Sequence, residues 1–349
     1  MYNMMKAAVF EELNVMTVKE VPLPVVGDDD ALMRVRTCAI CGSDIRIFHN
    51  GHPEVQTPAI IGHEVCGDIV AVGKNVTKLR VGDRVALGAD IPCGQCAMCQ
   101  EGHGNYCENK QGLGHSNPGG FAEYCLINGF MLRSGPVQII PDHMTYEQGA
   151  VAEPLGCILN GMEHAKPKLN DIAVIMGAGP IGCMMIPVLY RFGCAKVIIT
   201  DPNKNRLELA KRFMADSYIC SSEEDVIKRV LDETDGLGAH LVITANPSWQ
   251  SHVDAMKMVR IQGTVCLFGG LPQGRKIPEF DTNVIHYKEL TVTGSHGSLP
   301  RQHKAAVEMI ASGKIDIDPI ITHRFPLDQI NDAFAAAEGQ QGMKVIVTP

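Results

Sequence analysis

The sequence predicts an α/β protein in two parts, one rich in short strands and one a parallel sheet wrapped by helices. Three observations predict this. Short alternating segments with glycine turns fill the chain up to about residue 155. From Ile172 onward, short apolar runs alternate with amphipathic helical segments. The first of those runs leads directly into a glycine-rich turn, Gly177-Ala178-Gly179-Pro180-Ile181-Gly182. At 349 residues the chain is also too long for one core.

In chain order, residues 6–10 and 15–21 read as strands, followed by a charged turn at Asp28–Asp30. Leu32–Thr37, Glu64–Val72 and Arg84–Leu87 continue the β pattern, with turns at Gly73–Lys74 and Val81–Asp83. Residues 88–120 lack periodicity and are rich in Gly, Cys and Asn, as expected of a loop held by metal. Phe121–Ile127 resumes as a strand. Further strands are expected at Ile172–Met176, Lys196–Thr200, His240–Thr244 and Gly263–Phe268. Leu207, Ala210, Phe213 and Met214 share one helical face, and Val226, Val230 and Leu231 another. Helices over Lys304–Ser312 and Leu327–Glu338 and a strand over Lys344–Val347 close the chain.

Composition excludes several classes. Apolar residues make up 45%, charged residues 20%, and the formal charge is −8, which argues against a nucleic-acid partner. Residues 172–190 carry no charge, but Gly177, Gly179, Pro180, Gly182 and Pro187 interrupt them. Strand, turn and helix is therefore expected there rather than a membrane span. Pro187 should kink that helix. Thirteen cysteines, an odd number, with no apolar export segment near the start point to the reducing cytoplasm rather than to a disulfide framework.

The glycine turn is of the dinucleotide type. Its glycines let backbone amides approach a pyrophosphate, which the following helix N-terminus favours. Pro180 suits the first helical position. Asp201, at the end of the next strand, is placed to accept from both ribose hydroxyls and to repel a 2′-phosphate, so NAD is expected over NADP. Arg206 is a candidate for the adenine face or for a 2′-phosphate.

Two groups of side chains have metal-ligand character. Cys93, Cys96, Cys99 and Cys107 are four thiols within fifteen residues, the pattern of a closed structural zinc. An iron–sulfur run would have a shorter last gap followed by proline, whereas Glu108 follows here. Cys41, His63, Glu64 and Glu153 form a looser, mixed group suited to a metal that also holds water or substrate.

Cys41-Gly42-Ser43-Asp44, then Gly62-His63-Glu64 with Gly67, Gly73 and Val76, the cysteine quartet and the nucleotide turn resemble, in that order, the zinc-dependent medium-chain alcohol dehydrogenases. The resemblance covers essentially the whole chain. It implies a GroES-like catalytic domain over 1–155 and 295–349, with a zinc lobe at about 88–115, and a Rossmann domain over 156–294. Ala152-Glu153-Pro154-Leu155 resembles the polyol (sorbitol-like) and threonine dehydrogenase branch. By that resemblance Cys41, His63 and Glu153 hold a catalytic zinc directly or through water, with Glu64 as alternate ligand. Asp44 would fix the His63 imidazole and Ser43 would pass on the hydroxyl proton, although a small residue capping a helix reads equally well there.

The implied reaction is hydride transfer from a secondary alcohol of a polyol, a polyol phosphate or a related hydroxy compound to NAD, with two zinc ions per chain. Manganese or cobalt would also suit the glutamate-bearing shell. Arg46 stands where many relatives keep a relay histidine and is expected to bind pyrophosphate or an anionic substrate group. His49 and His52 lie on the same loop and are candidates to line the pocket. Phe268, Gly269, Gly270, Gly294, Ser295 and His296 are expected to border the nicotinamide. The arginine–aromatic pair of sorbitol-type enzymes is missing near Gly294–Ser298, so sorbitol itself is not expected. L-Threonine 3-dehydrogenase activity and a catalytically silent, NAD-binding structural or sensing protein are the alternatives. A homodimer or homotetramer built through the Rossmann sheet edge is implied.

Overall fold

Strand Ala31–Ala39 is the centre of the first part. Arg34 and Arg36 face solvent while Met33, Val35 and Thr37 face inward, the period-two pattern of a half-buried strand. On one side it pairs antiparallel with Glu64–Val72. On the other it pairs with Lys344–Thr348 at one end and Tyr124–Ile127 at the other. The full sheet runs Ile321–Pro326, Lys344–Thr348, Ala31–Ala39, Glu64–Val72, Arg84–Leu87, Val137–Ile139. Met4–Glu12 and Val15–Pro22 form a separate antiparallel pair. Met33, Val35, Ile61, Val65, Ile69, Leu87 and Phe121 pack into the core beneath, each side chain contributing about 1.5–3 kcal/mol of burial.

The structure is a computed structural model that describes residues 3–272, 274, 277–339 and 342–349. It divides into two compact units, Met1–Cys157 with Gly297–Pro349, and Ile158–His296. Within the first unit, residues 88–115 hold only a two-residue strand pair, a four-residue helix at Ala97–Gln100 and a single 3-10 turn at Gly104–Tyr106. Between residues 93 and 107 the one buried apolar side chain is that of Cys107. The lobe has no core of its own.

The second unit is a six-stranded parallel sheet. Its order is Ser217–Cys220, Lys196–Asp201, Ile172–Met176, Ala239–Thr244, Val259–Leu267, Thr291–Gly294. Numbered along the chain this is 3-2-1-4-5-6, the order of a Rossmann sheet, which reverses beside Ile172–Met176. That strand is buried almost throughout because helices cover both faces of such a sheet. The first and last strands of the order were not foreseen. Each has four residues. Helix Pro300–Ala311 begins four residues before the expected Lys304, because Pro300 takes its first position and Gln302 Oε1 accepts the N–H of Leu299. Helix Tyr146–Ala165, which carries Glu153, was also not foreseen from its mixed sequence. Among the described residues no helix is long and apolar enough to cross a membrane. None of the thirteen cysteines is bridged.

Candidate metal centres and nucleotide turn

The quartet is assembled by the lobe turns. Cys96 Sγ lies 3.5 Å from Cys99 Sγ and 3.7 Å from Cys107 Sγ, and Cys93 Sγ lies 4.0 Å from Cys99 Sγ. Thiolates at zinc–sulfur distance around a tetrahedral ion stand about 3.8 Å apart, so the four fit zinc. Backbone N–H groups of Gln95 and Cys96 hold the Cys93 thiol down at about 6, which favours the ligating thiolate.

The mixed group forms where helix Gly42–Asn50 begins beside strand Glu64–Val72. Ligand atoms of Cys41, His63 and Glu64 all lie within 4.8 Å of one another. Cys41 is the helix N-cap, and its N–H donates to Asp44 Oδ2 at 2.9 Å. Asp44 thereby turns its other oxygen to His63 Nδ1, 3.2 Å away, with both residues buried. Burial alone would push His63 down, but the Asp44 carboxylate outweighs it and holds the imidazole well above its usual value. Burial raises Asp44 and the His63 charge overcomes that, leaving the carboxyl below its usual range. Ser43 Oγ sits 3.3 Å from His63 Nε2, two positions past the cap, so it does not serve as the cap.

Glu64 is not an idle reserve. Its Oε1 accepts from the ammonium of Lys344, which also donates to the carbonyl of Ile40 at 3.2 Å. Glu64 Oε2 is buried without a hydrogen-bond partner among the described residues. Glu153 lies outside the group that converges within 4.8 Å. It is nevertheless buried, its Oε1 3.6 Å from Cys157 Sγ, and burial lifts it to about 7 against the pull of His63. A buried carboxyl so poorly compensated suits a cation beside it. Thiol, imidazole and carboxylate donors around orphaned carboxylate oxygens fit a divalent metal of the zinc type.

Other expected residues fall elsewhere. Arg46 is exposed on helix Gly42–Asn50 and makes no ion pair among the described residues. His49 is not a pocket residue, since its two nitrogens face Asn14 Oδ1 and Glu338 Oε1. Lys344 and His115 were missed. The only cue to Lys344 is a lysine opening an apolar strand. His115 offered none, yet its ring centroid is 5.7 Å from that of His63. Burial, and then the His63 charge, push His115 below its usual value.

In the second unit, a Cβ on Gly182 would meet the Gly177 carbonyl oxygen at 1.8 Å, so only glycine lets the helix pack on the strand here. At Gly179 the nearest atom to an added Cβ is Arg206 Nη1 at 3.7 Å, which leaves the cradle open. Helix Pro180–Arg191 starts there, and the N–H groups of Ile181 and Gly182, in its first turn, have no partner carbonyl within the helix. Arg206 Nε is buried without a partner among the described residues. Asp201 is turned inward, with Oδ2 accepting from Ala178 N–H and Oδ1 from Asn203 N–H, both at 2.8 Å. It shapes the turn. Phe268 packs where a side chain on Gly161 would stand, and Gly269 N–H donates to the Thr244 carbonyl at 2.7 Å. Asn160 Nδ2 donates to Ser295 Oγ at 3.3 Å and to the His296 carbonyl at 3.2 Å. Gly294 ends the last strand of the sheet. Pro187 lies inside helix Pro180–Arg191. This turn fits a dinucleotide.

A Rossmann unit with an open phosphate cradle, joined in one chain to a β-rich unit with two metal-ligand groups, defines an NAD(P)-dependent zinc dehydrogenase. Residues 27–134 match the alcohol dehydrogenase GroES-like domain and residues 180–312 the zinc-binding dehydrogenase domain, and the chain belongs to the zinc-dependent medium-chain alcohol dehydrogenase family. The D-arabitol-phosphate dehydrogenase of Enterococcus avium is 34% identical over 332 residues, 94% of this chain and 92% of its own. The L-threonine 3-dehydrogenase of Rhizobium rhizogenes is 34% identical over 358 residues, 99% of each chain. A zinc-binding dehydrogenase of Sinorhizobium meliloti, solved bound to NADP, superposes with a TM-score of 0.93 at 32% identity, covering 99% of this chain and all of its own.

Proposed function

We propose that this chain oxidises, reversibly, a secondary hydroxyl of a polyol, a polyol phosphate or a related hydroxy compound, with NAD as acceptor. The observation that carries the reading is the buried Glu153 carboxyl beside the Cys41, His63 and Glu64 group. It is supported by 34% identity to a D-arabitol-phosphate dehydrogenase across nearly the full length. When bound, zinc acidifies the substrate hydroxyl and NAD accepts the hydride from the carbinol carbon.

The chain's residues do the rest. Cys41, His63 and Glu153 hold the catalytic zinc, with Glu64 as the alternate ligand, and the cysteine quartet holds the structural one. Asp44 fixes the His63 ring. Ser43 Oγ takes the hydroxyl proton. Arg46 offers N–H donors and no acceptor, and so binds an anion instead of relaying that proton. The phosphate of a polyol phosphate is the anion proposed. Asp201 favours NAD over NADP by repelling a 2′-phosphate, while Arg206 and the amides after Gly179 receive the pyrophosphate. Gly294–His296 and Phe268–Gly269 border the nicotinamide. A cytoplasmic homodimer or homotetramer, joined through the Rossmann sheet edge, completes the proposal.

The test is NAD reduction by zinc-loaded protein on D-arabitol, its phosphate and L-threonine, each repeated with Arg46→Ala. Loss of kcat/KM on the phosphate relative to the free pentitol is expected, and an unchanged ratio rejects the role of Arg46. Turnover of L-threonine alone would establish the second reading, which the Rhizobium rhizogenes relative favours. Zinc bound with no turnover on any alcohol would point to the silent, NAD-binding alternative.

A further inference from the structure

We propose that His52 and His115 form a recognition pair for a hydroxyl of the substrate other than the one oxidised. This rests on the polyol reading above and adds the residues that would make the site selective for polyhydroxy compounds.

The two rings meet edge to face, with centroids 5.0 Å apart and planes at 79°. His115 also lies beside the metal-ligand group, 5.7 Å from the His63 ring, without belonging to it. That spacing is fixed by backbone contact. Gly114, at φ +71°, lies so close to Gly62 that an added Cβ would stand 2.9 Å from the Gly62 N and O atoms. Gly62 precedes His63, so the turn that carries His115 is pressed onto the turn that carries the ligand.

Backbone groups also set each tautomer. His115 Nδ1 is 3.1 Å from the Leu113 carbonyl, so the proton sits on Nδ1 and Nε2 keeps its lone pair. His52 Nδ1 accepts the Glu54 N–H at 3.1 Å, which places its proton on Nε2. Adjoining rings therefore offer one acceptor and one donor. A hydroxyl both donates and accepts, and it satisfies the two together. An ammonium group satisfies only the acceptor and a carboxylate only the donor. A hydrocarbon satisfies neither and leaves polar atoms unpaired when it excludes water.

The test compares xylitol with 2-pentanol, which have the same number of carbons, on zinc-loaded protein with NAD. The readout is the ratio of their kcat/KM values in wild type, His115→Leu, His52→Leu and His115→Gln. Zinc content and circular dichroism are measured for every variant. The ratio is expected to fall at least tenfold in both leucine variants, chiefly through a higher KM for xylitol. His115→Gln, which keeps an acceptor, should recover part of it. An unchanged ratio overturns the proposal, and so does an equal loss on both alcohols with zinc retained, which marks a structural role. Wild type that oxidises L-threonine but neither a pentitol nor a pentitol phosphate removes the polyol reading and this pair with it, a failure visible before any variant is made.

Discussion

The ammonium of Lys344 is paired with the carboxylate of Glu64 in the interior, where the two side chains are 4% and 0% exposed. Glu64 follows His63, and Lys344 opens the strand that runs beside Ala31–Ala39. The pair ties the last strand of the chain to the metal group and holds one glutamate oxygen away from any ion. Burial depresses Lys344 while Glu64 raises it further, so the ammonium stays charged.

Breaking this pair from one side strands a buried charge, which costs about 3–5 kcal/mol. Lys344→Met should therefore lower stability by that order in urea unfolding of the zinc-loaded protein. Lys344→Met with Glu64→Gln should recover most of the loss, because neither charge is then present. Equal instability of the single and double variants would show that the lysine acts through its stem and not its charge.

The quartet makes a separable prediction. Cys96→Ser removes one of four thiolates from a lobe that has no apolar core. Bound zinc should fall from two ions per chain to one, and hydrogen exchange should accelerate across residues 93–107. Retention of both ions would mean that three thiols suffice.

Asp44→Asn tests the support of the other centre. The carboxylate fixes the His63 ring, and loss of such a partner typically weakens metal binding 10–100-fold. Chelator competition should show that drop at the mixed site while the quartet keeps its zinc. No change in zinc affinity would limit Asp44 to capping Cys41.

Local chemistry made much of this legible in the sequence. The quartet is contiguous, the glycine turn follows an apolar strand, and strands Glu64–Val72 and Arg84–Leu87 have the expected limits. What escaped depends on contacts distant in sequence. Lys344 meets Glu64 across 280 positions. His115 reaches His63 only because Gly114 packs on Gly62. Asp201 was read as a ribose acceptor, but whether its oxygens also bind backbone amides depends on a turn 23 residues away.

His303 gives the clearest dependence on pH. It lies on helix Pro300–Ala311, fully buried, with both ring nitrogens lacking a partner among the described residues. Gly88 and Gly156 leave its seat, since a Cβ on either would stand 3.2 Å from His303 atoms. Burial lowers it to about 4, against about 6.5 for an unfolded chain. Below pH 6.5 the unfolded state therefore binds a proton that the folded state refuses, and stability falls as pH drops toward 4. Over that window the loss attributable to this side chain is about 3 kcal/mol. His303→Leu removes both the orphaned nitrogens and the titration. The variant should match or exceed wild type in stability at pH 7.5, and its advantage should widen steadily down to pH 4.5. Denaturant midpoints of the two zinc-loaded proteins across that range decide the point. Parallel curves would mean that the imidazole finds a partner, or water, that keeps its proton affinity ordinary.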